Sequence, residues 1–179
     1  MRIISGRWRG LNLAEFKGED IRPTADRVKE SLFNILAAQV AEAKVLDLFC
    51  GSGSLGIECL SRGAKEVHFN DISPDSIALL KKNLARLKGE ADYSITISDY
   101  AGCLNRLAGQ FDLIFIDPPY RLDIGRRALE IIAERDLLCE GGVAVYERDR
   151  AFEGEVEGLQ LFDERKYGIT FLSFFERKR

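Results

Sequence analysis

The chain of 179 residues has one histidine, one methionine and one tryptophan, and each scarcity excludes something. His68 is the only imidazole, which removes two-histidine metal sites and leaves His-dependent triads and histidine acid–base chemistry without support. The four cysteines (Cys50, Cys59, Cys103, Cys139) form no C-x-x-C pair. They are expected to be free thiols, with no zinc knuckle or disulfide framework, and no metal is expected. The longest run without a charged residue is the eleven positions from Ser31 to Ala41, far short of the roughly 20 a membrane span needs. The start, Arg2-Ile3-Ile4-Ser5-Gly6, lacks the apolar stretch of a signal peptide. A cytoplasmic protein with no membrane partner is expected. Repeats and low-complexity segments are absent too.

What remains is an ordinary globular balance, 46% hydrophobic and 31% charged, sized for a single α/β core. The net charge of −3 hides an uneven distribution. Residues 1–14 carry +3 from Arg2, Arg7 and Arg9, and Arg177, Lys178 and Arg179 carry another +3, which leaves −9 on residues 15–176. An acidic body with basic ends can meet a phosphate backbone at those ends alone.

Strand and helix patterns alternate along the chain. Residues 2–14 suggest a short hairpin around Gly6 and Gly10. Thr24 can cap a helix reaching Val40, because Val28, Leu32, Ile35 and Leu36 share one face. Strands are expected at 44–49, 66–71, 93–98, 111–116 and 142–147. Helices should run to about Gly63, from Ser73-Pro74 to Gly89, over 100–108 and over 124–138. The segments 159–166 and 169–176 read as a hairpin around Tyr167-Gly168. Five strands with intervening helices imply an open parallel sheet, which binds ligands beyond the carboxyl ends of its strands. Two regions follow: an extension, 1–22, expected to contact nucleic acid, and a single folding unit, 23–179.

Asp47-Leu48-Phe49-Cys50-Gly51-Ser52-Gly53-Ser54-Leu55-Gly56 sets G-x-G-x-x-G between a strand and a helix, with Asp71 twenty residues after Gly51. Taken literally this is a dinucleotide fingerprint. Two features favour a cationic cofactor instead. Asp47 brings a carboxylate to the loop, where it would repel a pyrophosphate but attract the ammonium and sulfonium of S-adenosyl-L-methionine. Asp99, ending the third strand, can accept from an adenine amine. The cofactor set is therefore Asp47, Phe49, Gly51, Ser52, Gly53, Gly56, Asp71, Ile72, Asp99 and Tyr100.

Asp117-Pro118-Pro119-Tyr120 follows the fourth strand directly. An exocyclic aromatic amine is a poor nucleophile because its lone pair is delocalised into the ring. Asp117 and the Pro118 carbonyl can accept its two hydrogens and localise that pair, and Tyr120 can stack on the base. Asp117, Pro118 and Tyr120 are the catalytic candidates. Arg7, Trp8 and Arg9 pair phosphate-binding charge with a stacking surface. With Arg22, Thr24 and Pro119 they form the candidate nucleic-acid contacts, on an arm whose removal should cost substrate binding and spare the cofactor.

These motifs, together with Ile3–Gly10 and Arg22–Leu36, resemble the bacterial 16S rRNA guanine-N2 methyltransferase (RsmD-like) family over nearly the whole chain. The resemblance implies methylation of N2 of one guanine in small-subunit rRNA, free or within a ribonucleoprotein, by a monomer. It also implies the class I methyltransferase fold: a Rossmann-like α/β, mostly parallel seven-stranded sheet with an antiparallel C-terminal hairpin. Cys50 stands where the family more often has alanine, and Asn70 where it more often has an apolar residue. Competing readings are a DNA or other RNA amino-methyltransferase acting on adenine N6, a nicotinamide dehydrogenase, and a non-catalytic rRNA-binding assembly module.

Overall fold

The computed structural model describes residues 1–16, 23–119 and 123–178, the side chains of residues 23–25 excepted. The strands are β1 (Lys44–Asp47), β2 (Glu66–Asp71), β3 (Tyr93–Ile97), β4 (Phe111–Ile116), β5 (Leu138–Arg148), β6 (Leu159–Tyr167) and β7 (Thr170–Arg177). The helices are α1 (Pro23–Ile35), α2 (Ala37–Val40), α3 (Ser54–Ser61), α4 (Pro74–Leu84), α5 (Tyr100–Arg106) and α6 (Gly125–Glu134). The sheet order is β3-β2-β1-β4-β5-β7-β6. The five strands from β3 to β5 run parallel, and β7 lies antiparallel between β5 and β6. This is the Rossmann-like, seven-stranded architecture that the family resemblance implied. No helix among the described residues is long and apolar enough to cross a membrane.

Two apolar layers cover the sheet. Val45, Val67, Phe69, Leu113 and Phe115 face α1, α3 and α4, while Leu46, Ile114, Ile116, Ala144 and Tyr146 face α5 and α6. Central parallel strands buried on both faces need this unbroken apolar character. The order reverses between β1 and β4, so a crevice opens at their carboxyl ends, the usual ligand position in such sheets.

Several boundaries differ from expectation, among them the end of α4, which stops at Leu84 and not near Gly89. The first helix breaks at Leu36. At 3.6 residues per turn, a row of Val28, Leu32, Leu36 and Val40 drifts around the helix, and the break returns Val40 to the core. Helix α6 stops at Glu134, and β5 starts at Leu138, four residues early. The strand was expected to begin at Gly142, but Gly141 (φ +76°) lies within β5, opposite the register shift between Phe111 and Leu113.

Residues 1–14 are part of the core. Ile3, Trp8 and Leu13 are buried. The Ile3 N–H donates to the Leu11 carbonyl at 3.0 Å and the Gly10 N–H to the Ile3 carbonyl at 2.8 Å, closing the expected hairpin. The loop docks on α3: the Arg7 N–H donates to the Ser61 carbonyl (2.8 Å), and the Ile4 and Ser5 N–H groups donate to the Glu58 carboxylate (2.8 and 3.0 Å). Gly6 makes this approach possible. Its φ is +85°, and a Cβ there would lie 1.9 Å from the Ser61 carbonyl oxygen.

Candidate active site

The carboxyl ends of β3, β2, β1, β4 and β5 carry, in that order, Asp99, Asp71, the glycine loop, Asp117 and Glu147. In the loop, Gly51 (φ +51°) and Gly53 (φ +83°) take the left-handed conformation that favours glycine. Asp71 holds the loop from the neighbouring strand: one oxygen accepts from the Gly51 N–H and the other from the Ser73 N–H, both at 2.9 Å. Each oxygen has a second lone pair for a further donor, such as a ribose hydroxyl. Asp99 caps α5 by accepting from the Gly102 N–H at 2.8 Å. Ile72 is 68% exposed, a large apolar surface next to Asp71 in the chain, and the rings of Phe49 and Tyr100 lie 6.0 Å apart.

Asp47 is sealed beneath the loop, 2% exposed, and accepts from the Gly56 N–H in the first turn of α3 at 3.0 Å. Burial pushes its pKa up to about 7, with the Asp71 charge adding to the rise and the Gly56 hydrogen bond opposing it. Asp117 follows Ile116, which pairs with Tyr146, so Asp117 and Glu147 are neighbours across the strand ends. The residue is open to water on its outer side. Lost hydration at the strand ends, with the Glu147 and Asp47 charges adding to it, nevertheless raises its pKa above the carboxylate range. Asp117 and Glu147 thus stand side by side at the strand ends with Asp47 buried beneath the loop, and both Asp47 and Asp117 resist ionisation.

A pH effect follows. Folded Asp47 keeps its proton up to about pH 7, whereas the unfolded chain loses it near pH 3.8. Its contribution to stability is present below the unfolded value and is lost as pH rises towards 7. Urea midpoints of the ligand-free protein should fall across this window, and Asp47→Asn should flatten the fall. An identical pH slope in the variant would remove Asp47 as the cause.

Other expected site residues are placed differently. Trp8 does not offer a stacking face: it is 9% exposed, its indole N–H donates to the Lys88 carbonyl at 2.8 Å, and the Arg7 guanidinium lies 4.5 Å above its ring. Arg7 is also tied to the Glu90 carbonyl at 3.1 Å, while the Arg9 side chain is exposed. Pro118 is buried and Pro119 exposed. Arg22 and Tyr120 lie outside the described residues, as does the side chain of Thr24. His68 bridges Ser94 and Thr96 on β3, a structural position.

Three residues were missed. Asn70 donates to the Leu48 and Ser98 carbonyls, both at 3.1 Å, and accepts from Thr96 Oγ1 at 2.7 Å, joining three strand ends behind the crevice. Asn83 donates to the Ser52 carbonyl in the glycine loop at 2.9 Å and clasps Ala14 through both of its amide atoms. Glu147 had a signal, an acid ending a parallel strand beside Asp117. The other two depend on contacts distant in sequence.

Residues 1–176 match the family described as Conserved hypothetical protein 95. The chain is 38% identical to the ribosomal RNA small subunit methyltransferase D of Haemophilus influenzae, over 84% of this chain and 79% of that protein. The protein of the same description from Escherichia coli is 34% identical over 83% and 75%. Among solved structures, the Escherichia coli protein yhhF, described as a candidate methyltransferase, superposes with a TM-score of 0.88 at 31% identity, covering 99% of this chain and 98% of that one.

Proposed function

The chain belongs to the family described as Conserved hypothetical protein 95, and we propose that it transfers a methyl group from S-adenosylmethionine to the exocyclic N2 amine of one guanine in 16S rRNA. The observation that carries this reading is the row of strand ends: a glycine loop held by Asp71, then Asp117 with Pro118, along one crevice. Relatives named for methylation of small-subunit ribosomal RNA support it.

The residues present fit the cofactor. Asp47, which resists ionisation beneath the glycine loop, would be met by the positive charge of the sulfonium and ammonium groups. Asp71 would take the ribose hydroxyls, Ile72 would cover the adenine and Asp99 would accept from its amine, while the glycine loop would lie along the amino-acid portion. When bound, S-adenosylmethionine supplies an electrophilic methyl group. The chain's own work is positioning. The Asp117 carboxylate and the Pro118 carbonyl accept the two amine hydrogens, turning the nitrogen lone pair out of the ring. Asp117 must be ionised to accept, so methyl transfer should speed up as pH rises through its raised pKa.

Methyl incorporation into undermethylated small subunits, bare 16S rRNA and DNA, with the product identified by nucleoside analysis, tests the reading. N2-methylguanosine is the expected product, and N6-methyladenosine would select the amino-methyltransferase alternative. Asp71→Ala should weaken S-adenosylmethionine binding by about 1.5–3 kcal/mol, the scale of hydrogen bonds to a charged group. Unchanged calorimetric affinity in a folded variant would remove Asp71 from the site.

A further inference from the structure

The loop of residues 1–14, α1 and α3 enclose a second cavity of about 340 Å³, lined by Arg2, Arg9, Arg62, Glu30 and Asn34 and by the backbone of residues 3–5. It belongs to no strand end and shares no lining residue with the crevice. Its walls are fixed from behind. Lys29, 2% exposed, donates to the Arg2 carbonyl and to Ser54 Oγ, both at 3.0 Å, and pairs with buried Glu58 at 3.1 Å. Glu58 also pairs with Arg62 at 2.8 Å, which brings that guanidinium 4.7 Å from the Phe33 ring. The rigid backing holds one arginine in place and leaves two others at the rim. Arg2 lies 4.0 Å from Asp26, a loose pair, and Arg9 has no ion-pair partner among the described residues.

Residues 15–176 together carry −9, so the positive charge of the chain is concentrated at its two ends. At the C-terminus, Arg177 is engaged by Asp136 at 2.8 Å and Lys178 by Glu155 at 3.3 Å. Among the described residues, Arg9 at the rim of the cavity and Arg27 on α1 have no ion-pair partner, and guanidinium forks suit phosphate oxygens. Glu30 and Asn34 then have a use a bare anion would not give them: they can bond the hydroxyl of a ribose or the edge of a base. Midway along α1, Lys29 donates to Ser54 at the end of the glycine loop, so the helix leads from this cavity towards the crevice. Asn34, Glu30 and exposed Arg27 follow one face towards its N-terminus, and the helix's 13 residues span roughly 20 Å. A few nucleotides of single strand cover that distance.

Resting on the proposed RNA substrate, we infer that this cavity holds one phosphodiester-linked nucleotide of that RNA, displaced along the strand from the methylated base. The arginines face the phosphate, and Glu30 and Asn34 face the sugar or base.

The test compares full-length wild type, Arg9→Gln and Arg9→Glu in filter binding to 16S rRNA across a salt series. Arg9 is exposed and unpaired among the described residues, so its replacement leaves the fold intact, with cofactor affinity as the check. Arg9→Glu should weaken rRNA binding by roughly tenfold or more and lower the slope of log K against log salt by about 1. Arg9→Gln should fall between the two, and adenosine monophosphate should compete only at millimolar levels. Unchanged affinity and salt slope would overturn the inference, as would micromolar adenosine monophosphate binding that Arg9→Glu abolishes while rRNA binding persists. If wild type binds rRNA through Arg9 but transfers no methyl group, the proposed function falls and the cavity assignment stands. If Arg9→Glu binds and methylates rRNA normally, the reverse holds.

Discussion

Asp117→Asn should slow methyl transfer by roughly 10²–10³, the loss that follows removal of one preorganised electrostatic contact. The substitution keeps the shape of the side chain but can present an amide N–H to an amine that needs an acceptor. Cofactor affinity should stay within about twofold, because Asp71, Asp99 and the glycine loop stand on other strand ends. The wild-type rate should also rise with pH as Asp117 ionises, from a pKa that lost hydration, Glu147 and Asp47 hold above the carboxylate range. The variant should lose that limb. Single-turnover assays with saturating cofactor make the measurement, and a near-normal rate for Asp117→Asn would sink the acceptor role.

Deleting residues 1–14 should abolish cooperative folding. The deletion removes Ile3, Trp8 and Leu13 from the core. Burial of each contributes about 1.5–3 kcal/mol, so together they approach the whole stability of an ordinary domain. It also takes the Ile4 and Ser5 N–H groups from Glu58, which is fully buried, and the Ala14 clasp from Asn83, which supports the glycine loop at Ser52. The sequence suggested an arm that could be removed at the expense of substrate binding alone. The packing of Ile3, Trp8 and Leu13 contradicts that picture. Thermal unfolding followed by circular dichroism decides the matter: a sharp transition near the wild-type midpoint, with cofactor binding intact, would restore the removable arm.

The alternation of strands and helices, the glycine loop, the acids at four strand ends and the terminal hairpin were legible in the sequence. They were legible because each depends on residues near one another along the chain. A parallel strand buried on both faces is a short apolar run, a left-handed loop takes glycine, and the acid after such a strand falls at the sheet's carboxyl edge. The tertiary structure alone decided which face Trp8 occupies and that β7 enters between β5 and β6. It alone decided that Lys29, Glu58 and Arg62 meet behind a basic cavity. Those contacts join residues tens of positions apart, and their energies come from burial and charge pairing that no local period records. A tryptophan between two arginines reads the same whether its ring faces solvent or rests on α3, until Ser61 and the Lys88 carbonyl satisfy its N–H groups and hold it inside.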